Sequence, residues 1–143
     1  MKKWDDSINR EESILGAYKS YCFLLEDNES IDYDLSKKIC GDFLSKIESN
    51  VDETWIKVSD VVGDRLHTKE FDTPHPEWMC EGLIVVLIDE QENSRLVLDG
   101  NHRLNTLLSI NQDIMVKMII VKSHDPRKNF NKPSSSQNYR AIE

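Results

Sequence analysis

Leu96-Val97-Leu98-Asp99-Gly100-Asn101-His102-Arg103-Leu104 reads as a strand, a sharp polar turn and the start of a helix. Leu96 to Leu98 is a short apolar run with a branched residue at its centre, which suits a buried strand. Asp99-Gly100-Asn101 is turn chemistry: glycine adopts positive φ freely, and Asp and Asn side chains bond nearby backbone. Leu104, Leu107 and Leu108 then recur at helical spacing as far as Asn111. A glycine turn that opens a helix presents N–H groups at the positive end of the helix dipole, where anions bind. His102 and Arg103 are basic residues in that first turn, where they oppose the dipole. A bound phosphate accounts for them.

Working outward, Leu83 to Ile88 is the best strand in the chain, and Asp89 to Ser94 is a polar turn from which Arg95 to Leu98 pairs back as a hairpin. Downstream, Asn111-Gln112-Asp113 closes the helix of His102 to Ser109, and Ile114 to Lys122 is a final strand. Upstream, Thr54 to Val58 alternates as a strand, with Ser59-Asp60 starting a turn or short helix. Asp64 to Trp78 reads as an irregular loop, crowded with charged residues, His67 and His75 among them, and broken by Pro74 and Pro76. The two histidines are candidate metal ligands without a third partner at a recognised spacing. Ser7 to Leu25, with Ile14, Tyr18, Tyr21, Cys22 and Leu25, and Asp34 to Ser49, with Leu35, Ile39, Cys40, Phe43, Leu44 and Ile47, are amphipathic helices. Gly16 weakens the first.

The predicted fold class is α+β, a small mixed β-sheet carrying a strand–loop–helix phosphate-binding motif, preceded by an N-terminal helical hairpin. Residues 1–50 form the hairpin, 51–123 the α+β domain and 124–143 a flexible polar tail with prolines and a serine triplet. The 143 residues suffice for one core. A net charge of −8 argues against non-specific DNA binding, which is driven by Lys and Arg on phosphates. No apolar run approaches a membrane span, and the N-terminus lacks a secretory core, so the expected location is the cytoplasm. Cys22, Cys40 and Cys80 are an odd number without a CxxC pair and read as free thiols in a reducing compartment.

Strand, polar turn, strand, Asp99-Gly100-Asn101-His102-Arg103-Leu104, helix and apolar strand together resemble the ParB N-terminal/sulfiredoxin-like superfamily over about residues 54–122. The form Asp-Gly-x-His-Arg is similar to its ParB-like nuclease and free serine kinase members. The resemblance implies a nucleotide or other phosphate-bearing small molecule at the loop, with Mg²⁺ carried by a nucleoside triphosphate, in an NTP hydrolase or phosphotransferase. It implies that Gly100 lets the backbone approach the phosphate and that the N–H groups of Asn101 to Arg103 cradle it. Arg103 would give bidentate contacts and His102 a donor, while Asp99 would orient Arg103, hold the metal or cap the helix. Asp99 and His102 are the catalytic candidates, and Glu70, Asp72 and Glu77 are candidate bases. Asn101 stands where sulfiredoxins carry a reactive Cys, which argues against sulfinic acid chemistry, and the short tail of residues 124–143 stands where partition proteins carry a helix-turn-helix domain, so a DNA-clamp function is not expected.

Two other readings come from the residues themselves. In one, the loop is a tight turn in which Asp99 and Arg103 simply pair. In the other, the chain is a non-catalytic interaction protein, a phage- or plasmid-type modulator that meets a protein partner through its acidic N-terminal helices. Nuclease activity fits least, because the body is acidic and has no carboxylate cluster for metal.

Overall fold

The computed structural model describes residues 6–49, 51–67 and 83–128. Helices α1 (Asp6–Glu26) and α2 (Tyr33–Ser49) come first. They are followed by β1 (Val51–Lys57), a 3-10 turn (Val58–Asp60), β2 (Asp64–Arg65), β3 (Leu83–Asp89), β4 (Ser94–Asp99), α3 (Asn101–Ile110) and β5 (Met115–Lys122). The sheet order is β1-β5-β3-β4-β2. β1 is antiparallel to β5 and β3 is antiparallel to β4, whereas β5 runs parallel to β3 and β2 parallel to β4. This is the α+β fold with a mixed sheet that the sequence predicts. β2 is the addition: two residues from a stretch that reads as irregular, too short for any period to announce it. None of the described helices is long and apolar enough to cross a membrane.

The uninterrupted apolar run of β3 follows from burial on both faces. Leu83, Val85 and Leu87 point into a core built with Ala17, Tyr21 and Leu25 of α1 and Ile39, Phe43 and Ile47 of α2. Ile84 and Val86 point the other way, to Leu104 and Leu107 of α3 and to Val58 in the 3-10 turn. The rings of Tyr21 and Phe43 stack between α1 and α2, with centroids 3.8 Å apart and planes 2° from parallel. The helical hairpin therefore supplies half of the core on that face of the sheet. At the β3–β4 turn Asn93 takes φ 51°, a conformation that Asn tolerates, and Asp89 Oδ1 accepts the Glu92 N–H at 3.0 Å.

The expected flexible tail begins in the interior. His124, Asp125 and Pro126 are buried, because this polar segment finds its hydrogen bonds inside the protein. Asp89 Oδ2 accepts the Asp125 N–H at 2.7 Å and lies 3.0 Å from His124 Nδ1. The Tyr21 hydroxyl donates to the His124 carbonyl at 3.0 Å, and Asn28 Nδ2 donates to the carbonyls of Pro126 and Lys128. Asp125 accepts from Ser94 and pairs with Arg127, which also reaches Asp64 beside β4. Composition resembled a tail; the hydrogen bonds it makes with Tyr21, Asn28 and Asp89 make it a clasp. Residues 129–143 lie outside the described part of the chain.

Ending the chain after Ser123 removes the partners of Asp89 and Tyr21 together, and the expected loss of unfolding free energy in urea is about 3 kcal/mol or more. Tyr21→Phe, which keeps the stack but not the hydroxyl, is expected to cost about 1 kcal/mol. A truncated chain as stable as the intact one would contradict the clasp.

Candidate functional site

Gly100 stands at φ 89°, ψ 15° as the cap residue of α3. A Cβ there would lie 2.6 Å from Ile84 Cδ1 and 3.0 Å from the Leu83 carbonyl oxygen. Positive φ and close approach to β3 thus both require glycine. The helix is entered without a side-chain cap: the Leu104 N–H bonds the Gly100 carbonyl at 2.8 Å, and Asp99 does not cap α3. The amides of the first turn lie at the positive end of the helix, and that end faces the cleft described below.

Asn101 is a brace. Its buried side chain donates from Nδ2 to the Val97 carbonyl at 2.8 Å and accepts the Leu66 N–H on Oδ1 at 2.8 Å. One turn on, Asn105 Nδ2 donates to the His67 carbonyl at 2.9 Å. The two asparagines, four residues apart on one face of α3, hold the chain leaving β2 against the loop. The Asn101 side chain is committed to this work, which leaves only its backbone amide for the phosphate-binding part that the sequence assigns to it. The brace also delivers His67 to the site, where its ring centroid lies 5.1 Å from that of His102, with planes tilted by 34°.

Asp99 is placed by a β-bulge. Leu96 and Leu98 face α1 and α2, Val97 faces α3, and strict alternation would send Asp99 toward α3 as well. The register between β3 and β4 shifts instead: Val85 pairs with Asp99 but Val86 with Val97, leaving Leu98 as the extra residue. The bulge re-aims the carboxylate onto α1. It lies so close to Gly16 that a Cβ there would stand 2.4 Å from Asp99 Oδ1. Burial pushes the Asp99 carboxyl up to about 6, against the opposing pull of the Arg103 charge and a hydrogen bond donated by Ser13 of α1. Arg103 in turn donates from Nη1 to the Leu83 carbonyl at 3.3 Å, so its guanidinium lies between the first carbonyl of β3 and the acid.

These groups line one cleft of about 310 Å³, with Gly100, Asp99, His102 and Arg103 along the loop, Ser20 of α1 on one side and His67 on another. A second, more apolar hollow of about 460 Å³ adjoins it, sharing Ser20 and His67 and adding Phe23, Leu24 and Leu66. A larger hollow, about 980 Å³, lies at the opposite end of the sheet. Its acids, Asp64, Asp89, Glu90 and Glu92, stand among Arg95, Lys122 and Lys128, and no helix start among the described residues faces it. The smaller cleft has the chemistry.

Of the residues singled out in the sequence, the fold brings Asp99, Gly100, His102 and Arg103 to one cleft and turns the Asn101 side chain inward. Glu70, Asp72, His75 and Glu77 lie outside the described residues. For Mg²⁺, Asp99 is, among the described residues, the one acid lining the cleft, and its oxygens already meet Ser13 and Gly16; no trio of His, Cys, Asp or Glu with metal-binding geometry occurs among those residues. Such a set fits the metal only alongside a ligand's own phosphates. The α1 wall escaped sequence reading. Its signal is a face of small residues, Ser13, Gly16, Ala17 and Ser20, at helical spacing, where something approaches closely. Comparison of the chain with family models, with curated proteins and with solved structures gives no match.

Gly16→Ala places a methyl group against Asp99. It is expected to destabilise by about 1–3 kcal/mol, although alanine favours a helix interior by about 1 kcal/mol. Adding Asp99→Ala should return most of that loss in a double-mutant cycle; additive losses would show that the two do not touch.

The raised Asp99 carboxyl makes the folded state bind more protons than the unfolded chain between pH 3.8 and about 6. Its contribution is therefore present below pH 3.8 and lost as pH rises to about 6. Asp99→Asn is expected to exceed the wild type by about 2–3 kcal/mol at pH 7.5, with the gap closing by pH 4. A gap that does not vary with pH would rule out the buried charge as its cause.

Proposed function

We propose that this chain binds a nucleotide or another phosphate-bearing small molecule at the Asp99–Arg103 loop. One observation carries the reading: the positive-φ turn at Gly100 opens α3 directly into a cleft that also holds Arg103, His102 and His67. Backbone amides at a helix start, a guanidinium and two imidazoles are complementary to a phosphate group in charge and hydrogen bonding. The resemblance of the loop to the ParB/sulfiredoxin-like superfamily supports the same ligand class.

Within this reading, NTP hydrolysis or phosphoryl transfer is the chemistry that the cleft favours. Arg103 offsets the charge of the phosphates. Asp99, whose carboxyl stands near neutrality and lines the same cleft, takes or returns a proton there. His102 and His67 donate to phosphate oxygens, and the amides of the first turn of α3 hold the oxygens of the terminal group.

A second reading, contact with another protein through α1 and α2, is favoured by Phe23 and Tyr33, each 67% exposed on that face. A pull-down that succeeds with the wild type and fails with Phe23→Asp would carry it.

Thermal melts with ATP, CTP, GTP and ADP, each with Mg²⁺, test the first reading. At least one is expected to raise the Tm by several degrees at saturation, and Arg103→Ala to abolish the rise while leaving the ligand-free melt cooperative. Unchanged melts with all four at concentrations well above millimolar would overturn the nucleotide reading and leave the protein-contact one.

A further inference from the structure

The seam between α1 and α2 brings together two cysteines that the sequence separates. Cys22 on α1 and Cys40 on α2 line one cavity of about 440 Å³, whose rim carries Phe23, Tyr33 and Lys37. Cys40 is buried, at 8% exposure, and Cys22 is half-buried. The thiols are close enough to hydrogen-bond each other, and the Tyr18 hydroxyl lies within reach of Cys22. Neither is in a disulfide in this structure. The Tyr21–Phe43 stack, adjacent to Cys22 in the chain and one turn from Cys40, fixes the spacing of the two helices at this point.

We propose that Cys22 and Cys40 form a reversible disulfide, with Cys22 the thiol that meets a peroxide-class oxidant through the cavity and Cys40 the thiol that resolves it. In the first step the Cys22 sulfur, as thiolate, attacks the O–O bond of the peroxide. Cys22 becomes a sulfenic acid and the peroxide leaves as an alcohol, or as water from hydrogen peroxide, taking up the thiol proton. In the second step the Cys40 sulfur attacks the sulfenic sulfur. The S–O bond breaks, and hydroxide leaves as water with the Cys40 proton. Two thiols and one peroxide give one disulfide, one alcohol and one water.

The environments suit these roles. Burial pushes the Cys40 thiol up to about 12, with its hydrogen bond to Cys22 adding to the effect. Cys40 therefore stays protonated and inert toward solvent until a sulfenic acid forms beside it. The loop closed by the bridge comprises the end of α1, a short connection and the start of α2, so the sheet need not move. An ordinary buried cysteine is a small apolar side chain without a reactive neighbour; here a second thiol is within hydrogen-bond reach and a cavity leads to both.

The test uses the full chain. After treatment with tert-butyl hydroperoxide, remaining thiols are blocked with N-ethylmaleimide, and the protein is weighed intact and mapped by peptide. The expected product has lost two alkylation sites, contains a linked Cys22–Cys40 peptide that dithiothreitol releases, and melts roughly 5 °C higher. Cys80→Ser should behave identically. In Cys40→Ser, Cys22 should halt at the sulfenic acid and be captured by dimedone. Three alkylatable cysteines after excess peroxide, or linked peptides that join Cys80 or two chains instead, would overturn the proposal. The wild-type peptide map decides the point even if a substituted chain fails to fold.

Discussion

The carboxylate of Asp99 pressed onto Gly16 ties the strand that ends in the loop to the helix that opens the chain. Three local departures from regularity serve that contact: an extra residue in β4, a glycine in the middle of α1 and a positive φ at Gly100. Each weakens its own element. A mid-helix glycine costs about 1 kcal/mol relative to alanine, and a bulge interrupts the ladder. Together they give the loop one position relative to α1, with Ser13 and Ser20 as the other parts of that wall. A helix merely packed on a sheet has no need of such devices.

That contact also holds an acid where acids are costly. Asp99 sits between a helix face and a strand end, and among the described residues Arg103 and Ser13 offset its loss of water. Stability is given up locally for a carboxyl near neutrality in a cleft, which is how polar sites on otherwise apolar scaffolds are commonly built. At the far end of the sheet Asp89 is more deeply buried, but it accepts the N–H groups of Glu92 and Asp125 and lies 3.0 Å from His124 Nδ1. One acid has its partners around it and closes the fold. The other is held close to solvent and lines an opening. The proposed phosphate chemistry belongs with the second.

Rigid placement of His67 has a comparable origin. The histidine follows a strand of two residues, which could not position it alone. Asn101 and Asn105 do so by bonding the backbone at Leu66 and His67, so a motif residue that looks like a ligand donor is a strut. The polar character of a residue says that it will hydrogen-bond; only the surrounding backbone says with what.

The amino-acid sequence by itself determined every described element except the two-residue β2, because periods of 3.6 and 2 and an uninterrupted apolar run report burial on one face or two. It also marked the Asp99–Arg103 turn, since few residues other than glycine make such a bend, and it put Ile39, Phe43 and Ile47 on the buried stripe of α2. Four features were decided only by the tertiary structure. Asp99 turns to α1 because of a register shift against β3, a property of two strands that neither records alone. Gly16, read as a weakness of a helix, is the seat for a side chain more than eighty residues away. Cys22 and Cys40 have no recognisable spacing, because the packing of two helices, not the chain between them, sets their distance. His124 to Pro126 read as tail because composition counts polar groups without their partners, and those partners, on Tyr21, Asn28 and Asp89, arrive only when the chain is folded.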